Sequence, residues 1–140
     1  TAVVPMSKNP DLDAILKAFN RIPKATRQPI NKALHKGADE LTGRMDYLAP
    51  QDEGALRRSI KKTELNEFAV QVSAGDETTE VEVRKGSGVT VNNALLQEYG
   101  GTDREAQPYF WPSVNTLKKR VRRRVDRAIG KSVKDTWGKS

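Results

Sequence analysis

Residues 97–114 constrain the fold more than any other part of the chain. They include four of the eight aromatic residues, three of them consecutive at Tyr109-Phe110-Trp111. Gly100-Gly101 precedes this cluster, and neighbouring glycines favour a turn because they accept positive φ at little steric cost. Pro108 and Pro112 bracket it, and each proline fixes φ and pushes the preceding residue toward extended geometry. The pattern predicts an elbow, through which the chain leaves a sheet and enters a helix near Pro112.

The aromatic side chains of this elbow have two interpretations. Burying one such ring stabilises a fold by roughly 1.5–3 kcal/mol, which favours anchoring inside the domain. A loop this aromatic is otherwise typical of a contact site for a partner. We expect a positive φ at Gly100 or Gly101 and at least one fully buried ring. The residues assigned to the elbow are Glu98, Tyr99, Gly100, Gly101, Pro108, Tyr109, Phe110, Trp111 and Pro112.

The length and composition narrow the class of protein. The chain has 140 residues, enough for one domain with a hydrophobic core. It has no Cys, which excludes disulfides, and a single His, His35, which excludes His-rich metal sites. We interpret His35 as a solvated surface residue. No run approaches the ~20 apolar residues that a membrane span needs.

The positive charge is concentrated in one segment. Nine basic residues and one acidic residue, Asp126, lie within residues 118–134, so this segment carries +8 of a chain whose net charge is +7. All other residues together therefore carry −1. A near-neutral body with one strongly basic segment indicates contact with negative charge. The cations assigned to this partner contact are Lys118, Arg120, Arg122, Arg123, Arg124 and Arg127.

The basic segment also has the spacing of a helix. Apolar residues recur every three or four positions from Val114, and Ser113 can cap the first turn. The stripe fails past Gly130, so we expect a flexible tail at residues 131–140. The stripe consists of Val114, Leu117, Val121, Val125, Ala128 and Ile129.

Two more helices are predicted in the first half of the chain. Residues 1–10 have little to pack and should be flexible. A first helix follows Asn9 and ends at Pro23, and a second, with Pro29 near its start, ends at Pro50. Gly37 falls on the apolar side of the second helix and predicts a close approach. The single domain therefore spans residues 11–130. The stripes are Leu12, Ile15, Leu16, Phe19 and Ile22, then Ile30, Ala33, Leu34, Ala38, Leu41, Met45 and Leu48.

The middle of the chain alternates with the period of β-strands. Strands are predicted at residues 68–73, 79–84 and 89–91, with a weaker fourth at 61–65. Hairpin turns are predicted at Asn66-Glu67 and Gly75-Asp76-Glu77, and Asn92 should cap a short helix leading to Tyr99.

The predicted fold class is α+β: a small antiparallel sheet of three to four strands, packed by a long helix of the N-terminal half and by the long basic C-terminal helix. One core should join these elements. Its members would be Leu34, Leu41, Met45, Phe68, Val70, Val81, Phe110 and Leu117.

The sequence contains no pattern that indicates catalysis. Carboxylates are scattered, no nucleophile has a base at a typical spacing, and no cofactor fingerprint is present. We therefore expect no catalytic, metal-binding or cofactor-binding residues and no cofactor. Asp52-Glu53 could supply half of a metal site, but no third ligand lies nearby in the sequence. The glycines of Arg84-Lys85-Gly86-Ser87-Gly88 are too few and wrongly spaced for a phosphate-binding loop.

Three segments resemble motifs of one protein family. Pro50-Gln51-Asp52-Glu53-Gly54-Ala55-Leu56-Arg57-Arg58-Ser59-Ile60 resembles Pro…Thr-Gly-x-Leu-Arg-x-Ser-Ile, in which Gly54, Leu56, Arg57 and Ser59 form a turn motif. Leu96-Gln97-Glu98-Tyr99-Gly100 resembles Val-Glu-Tyr-Gly-Thr. Gln107-Pro108-Tyr109-Phe110-Trp111-Pro112-Ser113-Val114 resembles Gln-Pro-Phe-x-x-Pro-Ala.

The family is the phage neck and tail-completion, or head–tail joining, family: the gene-ten-product-like tail component of lambdoid and other long-tailed phages. The resemblance covers about residues 30–130, with the three motifs in order. Two departures concern loop geometry: Glu53 stands where Thr is usual, and Gly101 adds a second glycine.

The resemblance implies a non-enzymatic virion protein, assembled in the host cytoplasm and located in the neck or tail. It would form a ring homo-oligomer, with a hexamer favoured and a dodecamer as the alternative. Its partners would be head-closure or connector proteins and the tail terminator or tail tube, with no membrane involved. Contact with genomic DNA in the channel is left open.

The competing hypothesis is a basic DNA-binding accessory protein. The basic helix favours it, since Lys and Arg contacts to phosphates supply most non-specific affinity for DNA. The arginines are not interleaved with aromatic residues on which bases could stack, which disfavours it.

Overall fold

The structure of the protein is a computed structural model that describes residues 13, 14, 17, 21–51, 53–82, 85–101 and 104–137. Its α+β architecture confirms the predicted fold class. Among the helices of these residues, none is long and apolar enough to span a membrane. The elements are α1 (Lys24–Leu48), α2 (Gly54–Ser59), β1 (Lys61–Asn66), β2 (Ala69–Ser73), a 3₁₀ turn (Glu77–Thr79), β3 (Glu80–Glu82), β4 (Thr90–Asn92), α3 (Asn93–Tyr99) and α4 (Phe110–Trp137).

The long helices α1 and α4 run antiparallel and form the frame of the domain. Near the start of α1, the Thr26 carbonyl accepts a hydrogen bond from the Ser132 hydroxyl of α4 at 2.9 Å. Further along α1, Gly37 is buried against Val121. A Cβ at Gly37 would lie 2.6 Å from Val121 Cγ1, so the close approach predicted at Gly37 is confirmed.

The helix α1 begins earlier than predicted. Pro23 is its N-cap residue, and the Pro23 carbonyl accepts hydrogen bonds from the N–H groups of Thr26 and Arg27. Pro29 therefore lies inside the helix instead of at its first positions, where it withholds one N–H from the hydrogen-bond ladder. Of the predicted first helix, the stripe residues Leu12, Ile15, Leu16 and Phe19 lie outside the described residues, while Asp13, Ala14 and Lys17 are helical and Ile22 is buried.

The four strands form two separate two-stranded antiparallel sheets instead of one sheet. In the first, Lys61 pairs with Ser73, and in the second, Val81 pairs with Val91. The predicted hairpin at Gly75-Asp76-Glu77 is a 3₁₀ turn, in which Asp76 accepts a hydrogen bond from the Thr78 N–H. The buried Thr79 hydroxyl donates to Asn92 Oδ1 at 2.8 Å. This polar contact lies beside the Glu80–Asn92 pair, where β3 meets β4.

The strand predicted as the weakest, β1, is the longest of the four. All six of its residues are exposed, so its side chains give no buried face that a sequence pattern could reveal. Charged and polar contacts attach it to α1 instead: Asn31 Nδ2 donates to Glu64 Oε1 at 2.7 Å, and His35 Nε2 lies 3.1 Å from the same oxygen. These two contacts, Asn31 first, lower the pKa of Glu64. His35 therefore bridges α1 and β1 and is not merely solvated.

The core is smaller than predicted and lies where α1, α2, α3 and the start of α4 meet. Its centre is Met45, Leu56 and Tyr109, each exposed by 1% or less. Val81 was predicted in the core but is 39% exposed, because the β3–β4 sheet stands apart from the first sheet. The other predicted members, Leu34, Leu41, Phe68, Val70, Phe110 and Leu117, are half-buried.

The helix α4 extends beyond both predicted limits. It begins at Phe110 and continues through Gly130 to Trp137, so the segment predicted as a flexible tail is helical up to that residue. The apolar stripe does fail here, since Val133 is 43% exposed. Ser132 nevertheless is buried and hydrogen-bonded to α1, which holds this part of the helix by a polar contact.

Candidate functional site

The turn motif at Gly54, Leu56, Arg57 and Ser59 is structural. Gly54 begins α2, and Leu56 is fully buried in the core. The Arg57 guanidinium donates to both carboxylate oxygens of Asp46, at 3.2 and 3.1 Å, which attaches α2 to α1. The buried Ser59 hydroxyl donates to the Leu56 carbonyl at 2.6 Å and accepts from the Gly75 N–H at 2.9 Å. The motif therefore joins α1, α2 and the chain after β2.

Glu53, weighed with Asp52 as half of a metal site, belongs to a polar network. Its carboxylate accepts hydrogen bonds from Asn93 Nδ2 at 2.8 Å and from Gln97 Nε2 at 3.4 Å. Arg104 donates to Asn93 Oδ1 at 3.1 Å, which completes the link between the entry to α2, α3 and the elbow. Asp52 lies outside the described residues, and these contain no group of three acidic, His or Cys side chains that could hold a metal.

The elbow depends on Glu98, which caps α4 from a distance. The residue is 7% exposed, and its carboxylate accepts hydrogen bonds from the backbone N–H groups of Tyr109 (2.8 Å), Phe110 (2.9 Å) and Trp111 (2.9 Å). A helix leaves its first four N–H groups without intrahelical acceptors, and a carboxylate there also meets the positive end of the helix dipole. The fourth position is Pro112, which has no N–H. Glu98 and Pro112 together therefore leave no orphan donor at this helix start.

This arrangement explains why α4 begins at Phe110 and not near Pro112. Ser113, predicted as the cap, is inside the first turn, and its buried hydroxyl donates to the Tyr109 carbonyl at 2.6 Å. Sequence reasoning did not identify Glu98 as the cap, because it lies 11 residues before Tyr109. The available signal was that two separate motifs, one containing Glu98 and one containing the helix entry, occur together in the resembled family.

The predicted geometry of the elbow is confirmed. Gly100 has φ of +76°, and its N–H donates to the Leu96 carbonyl at 2.7 Å, which ends α3. Tyr109 is the fully buried ring, at 1% exposure, and its hydroxyl donates to the Ala94 carbonyl at 3.1 Å. Burial, with smaller contributions from the charges of Glu98 and Tyr99, raises the pKa of Tyr109 to about 12.

Phe110 is half-buried, whereas two elbow aromatics, Tyr99 and Trp111, and the nearby Leu95 are exposed. Leu95, Tyr99 and Trp111 are 57%, 65% and 49% exposed, and Trp111 Nε1 donates to the Tyr99 hydroxyl at 2.7 Å. They border a cavity of about 270 Å³ between the end of β2, α3 and the start of α4. We call this cavity the aromatic groove; its lining is Gln71, Val72, Ser73, Ala74, Ala94, Leu95, Glu98, Tyr99, Tyr109, Phe110 and Trp111. Both interpretations of the elbow aromatics therefore apply: the ring of Tyr109 is buried, and those of Tyr99 and Trp111 are at the surface.

The basic cluster divides into structural and free cations. Arg124 is half-buried and donates to Glu40 of α1, while Arg120 Nε lies 3.4 Å from the other Glu40 oxygen. Arg124 therefore does not point outward, contrary to the prediction. It lies beside α1, where Glu40 neutralises its charge. Arg122 Nε lies 3.9 Å from Oδ2 of Asp126. Within the described residues, Lys118, Lys119, Arg123, Arg127, Lys131 and Lys134 are exposed and have no acidic side chain within 4.0 Å.

Comparison with known proteins identifies the family of the chain. Residues 13–100, more than half of the chain, match the model of the family "Bacteriophage HK97-gp10, putative tail-component". The matched region includes α1, the turn motif, both sheets, α3 and Glu98, and it ends before α4. No curated protein and no solved structure matches the chain.

Proposed function

Because the chain belongs to the HK97-gp10-like family of bacteriophage tail components, we propose that it is a non-enzymatic virion protein that acts at the head–tail interface of a long-tailed phage. In this role it is a ring subunit, with a hexamer favoured, that joins the tail to the capsid connector. The observation that carries the proposal is the row of unpaired cations on α4. Exposed cations that have no acidic neighbour within the described part of the chain favour contact with negative charge on another molecule.

The unpaired cations form a continuous row. Lys119, Arg123 and Arg127 recur every four residues, so they lie one above the other on a single side of α4. Their side chains are exposed, and Arg127 Nε donates a hydrogen bond to the Arg123 carbonyl. Like charges at this spacing destabilise a helix by a few tenths of a kcal/mol per pair. An acidic surface on a neighbouring virion protein would remove that repulsion.

The experiment is complementation of a phage that lacks the gene. The test variant replaces Lys119, Arg123 and Arg127 by Gln, and the matched control replaces three exposed lysines outside α4, Lys32, Lys36 and Lys85, by Gln. Both variants remove three positive charges. We expect the control to give joined particles and the test variant to give separate heads and tails in electron micrographs. Joining at the normal rate with the test variant would refute the role of the row.

The same row supports a second candidate, a basic DNA-binding accessory protein. Cations spaced along one helix face can neutralise phosphates, and such binding weakens steeply as salt rises. Binding of the purified protein to duplex DNA at two salt concentrations tests it. Joined particles that fail to retain or release DNA normally would favour this candidate over the protein contact.

A further inference from the structure

We propose that the aromatic groove receives the β3–β4 ribbon of a second copy of this chain, so that the copies associate head to tail. The β3–β4 ribbon is defined as Glu80–Glu82, Thr90–Asn92 and the adjoining Val89. This inference rests on the proposed ring and assigns the two surfaces through which its subunits would meet.

The aromatic groove has a contiguous patch of exposed apolar side chains at its border. Leu95, Tyr99 and Trp111 are each about half exposed or more and are contiguous, with the Trp111 indole hydrogen-bonded to Tyr99. Contiguous apolar patches of this kind mark interaction sites, whereas single exposed apolar residues do not. Aromatic side chains are also enriched at the centres of interfaces.

One wall of the groove is a strand edge. Four consecutive residues, Gln71 to Ala74, line it, and among the described residues β2 pairs with β1 alone. The second edge of β2 therefore carries backbone N–H and C=O groups without a neighbouring strand. Such an edge can accept an added strand, with backbone hydrogen bonds for affinity and side-chain pockets for specificity.

Within the described residues, the β3–β4 ribbon leaves apolar side chains exposed. Each strand has three residues, and a lone two-stranded hairpin is at best marginally stable in water. Val81 lies opposite Val91 on one face, yet Val81 is 39% exposed, and Val89 beside it is 59% exposed. Docking this face against Leu95 and Trp111 would bury apolar surface on both sides.

The acidic side chains of the ribbon also favour docking with the Val81 face toward the groove. Side chains alternate along a strand, so Glu80 and Glu82 lie on the face of β3 opposite to Val81. The groove is lined by neutral side chains except Glu98, whose carboxylate is occupied by the helix start. With Val81 in the groove, the two exposed glutamates would face outward.

A second copy is the occupant that the chain itself supplies. The aromatic groove and the β3–β4 ribbon have no residue in common, and the proposed contact is one ribbon in one groove, which is heterologous and continues from subunit to subunit until it closes. A closed series of this kind is a ring. An interface of one patch with itself would instead stop at a dimer.

The experiment uses the full chain with single exposed substitutions. Leu95→Asp disables the groove, Val89→Asp disables the ribbon, and Leu65→Asp is the matched control at a half-exposed position of β1. Sedimentation should show that the parent chain and the control self-associate with rising concentration, and that each of the other variants stays monomeric. An equimolar mixture of the two defective variants should form a dimer and nothing larger, because one intact groove and one intact ribbon remain.

A second measurement guards against variants that fail to fold. The chain has no Cys, so a copy with Val89→Cys and a copy with Leu95→Cys each have one thiol. Under oxidation, their mixture should give the mixed disulfide dimer in preference to either symmetric one. A monomeric parent chain, unchanged association of either Asp variant, or no preference for the mixed dimer would each overturn the proposal.

These outcomes separate the interface from the function. If the copies associate as described but loss of the protein leaves head–tail joining intact, the proposed function fails and the interface stands. If joining depends on the protein but both Asp variants assemble normally, the interface fails and the function stands.

Discussion

Gly37 of α1 lies so close to Val121 of α4 that a single methyl group does not fit between them. The Cβ of an alanine at position 37 would be 2.6 Å from Val121 Cγ1. The two long helices α1 and α4 thus pack closely at a position where one of them has no side chain.

The contact predicts opposite effects for two glycines of the same helix. Gly37→Ala should lower the free energy of unfolding, because overpacking costs about 1–3 kcal/mol and outweighs the gain of about 1 kcal/mol in helix propensity. Gly43→Ala gains the same helix propensity, and the added Cβ would contact no other part of the protein within 4 Å. This variant should be stabilised by up to about 1 kcal/mol. Urea unfolding measures both. Equal changes in the two variants would show that the helices are not in contact at Gly37.

The elbow distinguishes its two adjacent glycines. Gly100 has a positive φ, and a Cβ there would lie 2.9 Å from the Ala106 nitrogen. Gly100→Ala should therefore destabilise the protein by about 1–3 kcal/mol. Gly101→Ala is the control, since φ there is not positive and the nearest atom is the end of Leu96 at 3.4 Å; we expect a change within about 0.5 kcal/mol. Thermal melting of both variants tests the difference, and similar melting temperatures would contradict it.

Removing the distant cap should unfold the start of α4. Glu98→Ala leaves three backbone donors without their acceptor in a buried site, which we expect to cost at least about 2 kcal/mol. Glu98→Gln keeps one oxygen and should have an intermediate effect. Glu105→Ala, at an exposed position of the elbow, is the control. If urea unfolding gave the same stability for Glu98→Ala and Glu105→Ala, Glu98 would not be the cap of α4.

Two neighbouring arginines of α4 should differ in their effect on stability. Arg124→Gln removes the cation that neutralises the half-buried Glu40, and should cost about 1.5–3 kcal/mol. Arg123→Gln removes an exposed charge with no acidic neighbour among the described residues, and should change stability by no more than about 0.5 kcal/mol. Chemical unfolding at moderate salt compares them. The result also decides which arginines may be substituted in assembly experiments without damage to the fold.

Tyr109 should make the fold sensitive to alkali. Its pKa of about 12 lies above the ordinary value of 10, so the folded state holds the phenolic proton where the unfolded state has released it. This contribution is fully present below pH 10 and is lost as the pH rises toward 12, by about 1.4 kcal/mol per unit of pKa difference. Tyr109→Phe should lower stability at neutral pH, through the lost bond to Ala94, but should show a shallower alkaline decline. Parallel slopes for parent and variant would contradict this.

The helices could be predicted from the sequence because their apolar residues repeat on one face. The stripe from Ile30 to Leu48 and the stripe from Val114 to Ile129 both lie at the α1–α4 contact or the core. Gly37 was identified by the same reasoning. The limits of these helices could not be predicted equally well, since they depend on contacts from elsewhere: Glu98 sets the start of α4, and Ser132 holds its last turns.

The pairing of the strands was beyond the sequence pattern for a similar reason. Alternation identified most of the strand residues, but it does not specify partners. The buried hydroxyl of Thr79 donates to Asn92 where β3 meets β4, and a threonine in an alternating stretch gives no signal of that contact. Of the predicted contact cations, charge alone could not separate Arg124, which has Glu40, from Arg123, which does not.

The antiparallel pairing of α1 with α4 has a consequence for synthesis on the ribosome. The hydrogen bond between Thr26 and Ser132 joins residues 106 positions apart, so α1 leaves the ribosome long before the helix that covers it exists. Domains are completed in this order, from the N-terminus, and contacts of such long range form late. A nascent chain interrupted before α4 would expose the side of α1 around Gly37 that α4 covers, and should be recovered with chaperones or in aggregates. Only a chain translated to the end of α4 can cover that side of α1, from Gly37 to Thr26.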